Sequence, residues 1–233
     1  MPQLQQEQWN ASYERGDNQM LYPKEEVVKF LNRFVRKRTG PNSFRDLLAP
    51  RPGAQELRGL DYGCGVGRMT VLLEEFGIRA WGVDISPTCL AAAREVAAHF
   101  GHPSLADRFA QVDGLALPFD DGFFDVGIAS GVLDSMHFEF ARRVALELDR
   151  VVERWLYVDL ISGDNGRFHR EFDGEEVVSD AVERGTVQSY FNWTKVQTLF
   201  APTRFRIHWA RLITEQSCTD RFRYSRYHVV LRK

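Results

Sequence analysis

The pattern of apolar and polar positions switches along the chain between a strand-like and a helix-like period. Short apolar runs predict buried strands, and these are residues 56–60, 79–84, 123–130, 155–161, 204–212 and 224–231. Apolar positions three or four apart predict helices, and these are residues 5–16, 23–35, 69–76, 88–100, 138–148 and 192–200. Because strands and helices alternate, the pattern predicts a mostly parallel sheet covered on both faces.

Glycine occupies every second position in Gly63-Cys64-Gly65-Val66-Gly67, between a predicted strand and a predicted helix. A turn of this kind lets backbone N–H groups approach a ligand closely, because glycine has no Cβ. A dinucleotide site needs Gly-x-Gly-x-x-Gly, and Arg68 stands where its third glycine belongs. The pattern therefore disfavours a nicotinamide cofactor and favours a ligand without phosphates, with Asp61 at the strand end holding an ammonium group.

Two further acids follow predicted strands. Asp84 ends the run 79–84, about 20 residues beyond the glycines, where an acid can accept hydrogen bonds from both hydroxyls of a ribose. Asp113 lies in the stretch 109–119 and is followed by Gly114. Any one of these acids alone could cap a nearby helix, but three at successive strand ends favour contact with a shared ligand.

In order and spacing, these motifs over roughly residues 55–160 resemble the class I S-adenosylmethionine-dependent methyltransferases. The resemblance implies an α/β, Rossmann-like, seven-stranded sheet, mostly parallel, with helices on both faces and an antiparallel last strand. It implies S-adenosyl-L-methionine as cofactor and S-adenosyl-L-homocysteine as product. In the family, the residue after the ribose-binding acid packs on the adenine, and the third acid takes the adenine amino group. The implied cofactor-binding residues are Tyr13, Asp61, Gly63, Gly65, Gly67, Asp84, Ile85, Asp113, Gly114, Ser130 and Leu133.

The same resemblance divides the chain into an arm and a domain. Residues 1–52 are expected to form an N-terminal helical arm that closes over the cofactor site, and residues 53–233 the methyltransferase domain. Tyr13 then either touches the methionine end of the cofactor or holds the arm on the core. The long charged segment 162–190 is expected to form a substrate-facing cap, for which a hairpin could turn at Gly174 or at residues 184–185. A solvated loop without a role is the alternative.

Methyl transfer needs an aligned acceptor more than it needs a catalytic side chain. A general base is required only when the acceptor loses a proton near the transition state. His137 and His169 are the catalytic candidates, with Asp134 and Asp164 beside them in the sequence. His137 could equally be a residue at the start of a helix. The Asn/Asp-Pro-Pro-Tyr motif of nitrogen-directed relatives is missing after residue 130.

Composition narrows the class of protein further. The formal net charge of −2 argues against bulk electrostatic binding of nucleic acid. Arginines recur at the C-terminal end, and their alternation with apolar residues predicts a solvated sheet face; they are Arg204, Arg206, Arg211, Arg221, Arg223 and Arg226. We find no apolar run long enough for a membrane helix, no signal peptide and no metal-ligand spacing. Three widely spaced cysteines fit a reducing compartment, so the cytoplasm is the expected location.

The sequence therefore predicts an enzyme that moves a methyl group to an oxygen, nitrogen or carbon of a small-molecule or biosynthetic-intermediate acceptor. No membrane partner is expected and a nucleic-acid partner is disfavoured. A protein or nucleic-acid methyltransferase remains an alternative, as does a non-catalytic protein that binds S-adenosylmethionine. The acceptor and the oligomeric state are not encoded in any pattern that we recognise.

Overall fold

The computed structural model of the chain describes residues 2–17, 19–166 and 173–233. The helices are α1 (Pro2–Glu14), α2 (Glu25–Phe30), α3 (Arg68–Glu75), α4 (Pro87–His99), α5 (Phe138–Val151) and α6 (Trp193–Phe200). The strands are β1 (Arg36–Gly40), β2 (Ser43–Asp46), β3 (Arg58–Tyr62), β4 (Arg79–Asp84), β5 (Phe109–Gln111), β6 (Phe124–Ser130), β7 (Val152–Ile161), β8 (Glu175–Val177), β9 (Val187–Ser189), β10 (Arg206–Gln216) and β11 (Arg223–Arg232). A π-helical turn, Leu31–Val35, extends α2, and a 3₁₀ segment, Pro103–Arg108, precedes β5.

Seven strands form the central sheet in the order β10-β11-β7-β6-β3-β4-β5. The strands from β7 to β5 run parallel to one another, and β11 lies antiparallel between β7 and β10. This arrangement confirms the predicted mostly parallel sheet with an antiparallel last strand. It also brings the carboxyl ends of β3, β4 and β6 to the same edge, which is where ligands bind in open α/β sheets.

Two hydrophobic clusters cover the two faces of the sheet. On one face, Leu31, Leu73, Phe76 and Tyr157 are almost completely buried, so the end of the N-terminal arm is part of the core. On the other face, α5 and α6 pack over β6, β7 and β11, and residues such as Phe124, Leu148 and Phe205 are inaccessible to solvent. The apolar stripes predicted for these helices are therefore the stripes that face the sheet.

The segment before β3 contains a hairpin within the region expected to be a helical arm. Residues 36–46 form the antiparallel hairpin β1–β2, with Pro41 in its turn. Arg36 anchors the hairpin, because its guanidinium donates to the carbonyl oxygen of Gly77 at 2.9 Å and lies 5.6 Å from the ring centre of Phe44. Proline marks the turn here, and the flanking strands carry too many charged residues for an apolar run to predict them.

The segment after β7 contains the second hairpin. β8 and β9 pair antiparallel with Val177 opposite Val187, so the chain turns between them, and residues 184–185 lie in that turn. Gly174, the other expected turn position, directly precedes β8. A hairpin within 162–190 is thus present in the described part of the segment, and its role as a cap stays a prediction.

Candidate functional site

A cavity of about 330 Å³ opens at the carboxyl ends of the parallel strands. Its walls come from the turn after β3, the end of β4, residues 112–114 and the segment that follows β6. The arm contributes Trp9 and Tyr13 of α1, and the β8–β9 turn contributes Glu183. The volume lies in the range of small-molecule sites, and the cavity is enclosed by elements that are far apart in the sequence.

Asp84 organises the glycine turn. Its Oδ2 accepts a hydrogen bond from the backbone N–H of Gly65 at 3.0 Å, and its Oδ1 accepts one from Ser86 N–H at 2.9 Å. Burial raises the pKa of Asp84, while these two backbone donors oppose the shift. A carboxylate oxygen accepts more than one hydrogen bond, so both oxygens can still receive hydroxyl donors from the cavity.

Asp61 lies deeper, at the end of β3, and is 2% exposed. The Thr70 hydroxyl of α3 donates to its Oδ2 at 2.7 Å, and burial raises its pKa to about 7. The carboxyl group lines the cavity. A bound cation would favour its ionised form, because an opposite charge stabilises a buried carboxylate.

Asp113 and Gly114 form the far wall. Oδ1 of Asp113 accepts hydrogen bonds from Leu115 N–H at 2.8 Å and Ala116 N–H at 2.9 Å, which lower the pKa of this carboxyl. The Gly114 carbonyl accepts a hydrogen bond from the buried hydroxyl of Tyr62. Asp113 is exposed, unlike Asp61 and Asp84, so its free oxygen lies at the rim of the cavity rather than in its depth.

The arm covers the glycine turn through Tyr13. A Cβ built on Gly65, whose φ is +53°, would lie 2.7 Å from the Tyr13 hydroxyl oxygen. Only glycine fits so close an approach in this left-handed conformation. The arm is held from α4, because the Ser86 hydroxyl donates to Oδ1 of Asn10 at 2.5 Å. Burial raises the pKa of Tyr13, so this phenol stays neutral.

A buried group of charges lies at the Ser130 end of the cavity. The Ser130 hydroxyl donates to Asp159 at 2.6 Å, and Lys24 of the arm lies 3.2 Å from both oxygens of the same carboxylate. Arg226 of β11 donates to Asp159 at 3.0 Å through Nε and also pairs with Asp134. Although burial alone would raise it, Lys24 and Arg226 hold the pKa of Asp159 below its usual range.

The expectation that Arg226 lies on a solvated sheet face is wrong. Arg226 is 9% exposed and lines the cavity, because β11 is inserted between β7 and β10 and its neighbours cover both faces. Sequence reasoning also missed Lys24. The only indication available was its position directly after the Tyr22-Pro23 pair that ends the arm's first loop.

Most of the predicted site residues meet in this cavity. Those that line it are Tyr13, Asp61, Gly63, Gly65, Asp84, Ile85, Asp113, Gly114 and Ser130. Gly67 does not line it and packs against Phe109 and Ala93 of the core. Leu133 is fully buried in the hydrophobic cluster beneath α5 and α6. Their contact with a ligand stays a prediction.

Of the two predicted catalytic histidines, His137 lies among the described residues. His137 does not line the cavity; it precedes α5, and its Nδ1 lies 2.6 Å from Glu175 of β8. This geometry supports its reading as a helix-start residue, and a catalytic role for it stays an untested prediction. His169 lies in the stretch 167–172, outside the described residues.

Part of the chain is similar in sequence to known proteins. Residues 60–154 match the family described as a methyltransferase domain. The demethylmenaquinone methyltransferase of Thermus thermophilus is 41% identical over 87 residues, which are 36% of this chain and 38% of that protein. The 2-methyl-6-phytyl-1,4-hydroquinone methyltransferase of Synechocystis sp. is 38% identical over 68 residues, or 29% of this chain and 20% of that protein. The match thus spans well under half the length of either relative.

The fold has solved counterparts. A SAM-dependent methyltransferase from Methanosarcina mazei superposes with a TM-score of 0.63 and 20% sequence identity, over 77% of this chain and 93% of that one. Among the described residues, no helix has the length and apolar character needed to cross a membrane. Within the same residues, no group of histidine, cysteine and acidic side chains is arranged to hold a metal ion.

Proposed function

We propose that this chain, a member of the class I S-adenosylmethionine-dependent methyltransferases, moves a methyl group from S-adenosylmethionine to a small-molecule acceptor. The observation that carries the proposal is the convergence of Asp61, Asp84 and the glycine turn in one cavity at the carboxyl edge of the sheet. Strand-end acids that only capped helices would not need to face a shared cavity. Here they do, Asp61 from the end of β3 and Asp84 from the end of β4.

The residues present fit the cofactor. Asp84, with both oxygens already oriented by backbone N–H groups, suits the two ribose hydroxyls, and Ile85 beside it offers an apolar surface for the adenine. Asp61 suits the ammonium group of the methionine part. Arg68, which lines the cavity at the start of α3 and has no ion-pair partner within the described residues, suits its carboxylate.

Bound S-adenosylmethionine supplies a methyl group on a positively charged sulfur. As the acceptor atom bonds to that carbon, the sulfur–methyl bond breaks, its electron pair stays on sulfur, and S-adenosylhomocysteine remains. The protein's part is to align the acceptor and exclude water, for which Tyr13 and the arm are placed over the glycine turn. This role for residues 1–52, and a substrate-facing role for 162–190, are parts of the proposal.

A small acceptor fits this cavity better than a macromolecule. The arm and the β8–β9 turn meet above the site, where the Glu183 N–H lies 3.4 Å from Asp17. Similarity to enzymes named for a menaquinone precursor and a hydroquinone supports a ring-containing acceptor. We further propose a cytoplasmic location, supported by three cysteines that are all free thiols.

The test is calorimetric titration of the protein with S-adenosylmethionine, S-adenosylhomocysteine and NADH. We expect the two adenosyl compounds to bind and NADH not to bind. Asp84→Asn should weaken the binding of S-adenosylhomocysteine by about 1–3 kcal/mol, because a ribose hydroxyl loses a charged acceptor. Asp107→Asn is the matched control, since Asp107 is an exposed acid far from this cavity. Binding of NADH alone, or an Asp84→Asn variant that binds like the control, would contradict the assignment.

A further inference from the structure

Two cations converge beside Gly131, at the Ser130 end of the cavity. A methyl group built on Gly131 would lie 3.5 Å from Lys24 Nζ and 4.0 Å from an Nη atom of Arg226. Gly131, Lys24 and Arg226 all line the cavity. The side chain of Lys24 is 25% exposed, so its ammonium group faces the cavity as well as Asp159.

Lys24 and Arg226 carry the positive charge at this end, and the buried acids Asp159 and Asp134 pair with them. Burial raises the pKa of Asp134, and Arg226 opposes that shift. Among the described residues that do not adjoin Gly131, only the two cationic nitrogens lie within 4 Å of a Cβ built on it. A negatively charged ligand atom at that position would be attracted to both.

The group also contains one polar atom without a partner. Asp134 is 1% exposed, and its Oδ2 accepts from Ile161 N–H at 2.8 Å and pairs with Arg226. Its Oδ1 is buried and has no hydrogen-bond partner within the described part of the chain. Buried polar atoms in proteins are almost always paired, so this acceptor oxygen beside the cavity points to a missing donor, such as the hydroxyl of an acceptor before its proton leaves.

Resting on the methyl transfer proposed above, we propose that Lys24 and Arg226 hold the acceptor by an ionised ring hydroxyl, a phenolate or an enolate. The hydroxyl proton leaves to solvent when the acceptor binds, and Lys24 pairs with the oxygen anion that remains. An acceptor held in this form is already nucleophilic. No protein base is then required, which agrees with a cavity that His137 does not line.

Two other roles for Lys24 need to be separated from this one. Its pair with Asp159 links the arm to β7, so it could serve only to hold the arm. It could instead hold the carboxylate of the cofactor. The first role predicts a loss of stability that leaves a preference for an anionic acceptor intact. The second predicts a loss of affinity restricted to ligands that carry the amino-acid part.

The experiment compares wild type with Lys24→Met and with Lys29→Met. Lys29 is the matched control, because it lies on the adjoining helix α2, is half exposed and pairs only with Glu25 and Glu26 among the described residues. Calorimetry measures the affinities for S-adenosylhomocysteine and for 5′-methylthioadenosine, which lacks the amino-acid part. Protein saturated with S-adenosylhomocysteine is then titrated with 4-nitrophenol, at a pH where it is ionised, and with 4-nitroanisole, its uncharged methyl ether.

We expect wild type and Lys29→Met to bind the phenolate at least about tenfold more tightly than the ether, a difference of about 1.4 kcal/mol. Lys24→Met should lose that preference. Removing one partner of the buried Asp159 should also lower the free energy of unfolding, and the affinities for the two adenosyl compounds should change by the same factor. Lys24→Arg, which keeps the charge, should retain part of the preference.

Several results would overturn the proposal. Equal binding of phenolate and ether by wild type, or no binding of either, excludes an anion-holding acceptor site. A preference that survives in Lys24→Met excludes Lys24 from it. Weaker binding of S-adenosylhomocysteine with unchanged binding of 5′-methylthioadenosine assigns Lys24 to the cofactor. A loss of stability that leaves the phenolate preference intact assigns it to the arm. The proposed function fails separately, if wild type does not bind S-adenosylhomocysteine at all.

Discussion

The close approach of Tyr13 to Gly65 gives a prediction that separates backbone strain from crowding in the cavity. The change is Gly65→Ala, which adds a methyl group 2.7 Å from the Tyr13 hydroxyl oxygen at a φ of +53°. Gly101→Ala is the matched control, because Gly101 has a φ of +83° and nothing within 4 Å of an added Cβ. Both variants place alanine in a left-handed conformation, and only the first meets a neighbour.

The expected magnitudes follow from these two terms. Left-handed backbone costs a residue with a Cβ roughly 1–2 kcal/mol, so both variants should lose about that much stability. Crowding adds roughly 1–3 kcal/mol for Gly65→Ala, since the partly buried Tyr13 ring must move. Tyr13→Phe removes the crowding oxygen and leaves the ring carbon behind it at 3.6 Å, an ordinary contact distance. The double variant should therefore fall back to the cost of Gly101→Ala.

Urea unfolding and calorimetric titration with S-adenosylhomocysteine are the two measurements. Because Gly65 lines the cavity, its added methyl group should weaken the binding of S-adenosylhomocysteine at least about tenfold, both with Tyr13 present and in the double variant with Tyr13→Phe. Stability should be restored by Tyr13→Phe and affinity should not. If Gly65→Ala unfolds like Gly101→Ala, or if Tyr13→Phe restores nothing, the arm does not lie on the glycine turn as described.

Two further predictions concern the acid in the core of the site and the cap that holds the arm. The folded pKa of Asp61 is raised from 3.8 to about 7, so folding takes up a proton between these values. The contribution of Asp61 to the free energy of unfolding is present at low pH and is lost as the pH rises towards 7, by roughly 1 kcal/mol per pH unit. Urea unfolding measured across this pH range should show that slope in wild type and a flatter one in Asp61→Asn. Ser86→Ala and Asn192→Ala each remove the side-chain cap of a helix and should each cost about 1 kcal/mol of unfolding free energy. Of the two variants, only Ser86→Ala should also weaken the binding of S-adenosylhomocysteine in calorimetry, because only the Ser86 cap bonds to Asn10 of the arm. Equal affinities of both variants for this ligand would contradict a closed arm.

The parts of the fold that sequence patterns predict well are those where local and tertiary requirements agree. β4 begins at Arg79 and ends at Asp84 as expected, because its apolar run is bounded by a glycine turn on one side and by a helix-capping serine on the other. The cavity wall around Gly65 was predictable for the same reason, since a strand, a turn and a helix must follow one another there.

Predictions failed where a residue's neighbours come from distant segments. Arg226 alternates with apolar residues in the manner of an exposed strand, and its burial is decided by the insertion of β11 beside β7. Its partners Asp134 and Asp159 stand 92 and 67 residues away along the chain. Hydrophobic periodicity reports which side of a strand is apolar, and it does not report a buried charge that is neutralised from elsewhere.

The arm completes both ends of the cavity, and this links the two proposals physically. Tyr13 covers the glycine turn at the proposed cofactor end, and Lys24 supplies the cation at the proposed acceptor end, with only ten residues between them. We expect a displacement of α1 that admits a cofactor past Tyr13 to weaken the pairing of Lys24 with Asp159. Cofactor binding that returns the arm to its place would also rebuild the anion site, so an acceptor held by Lys24 should bind the complex with S-adenosylhomocysteine more tightly than the free protein. Linkage requires the reciprocal effect, in which the acceptor tightens the cofactor by the same factor.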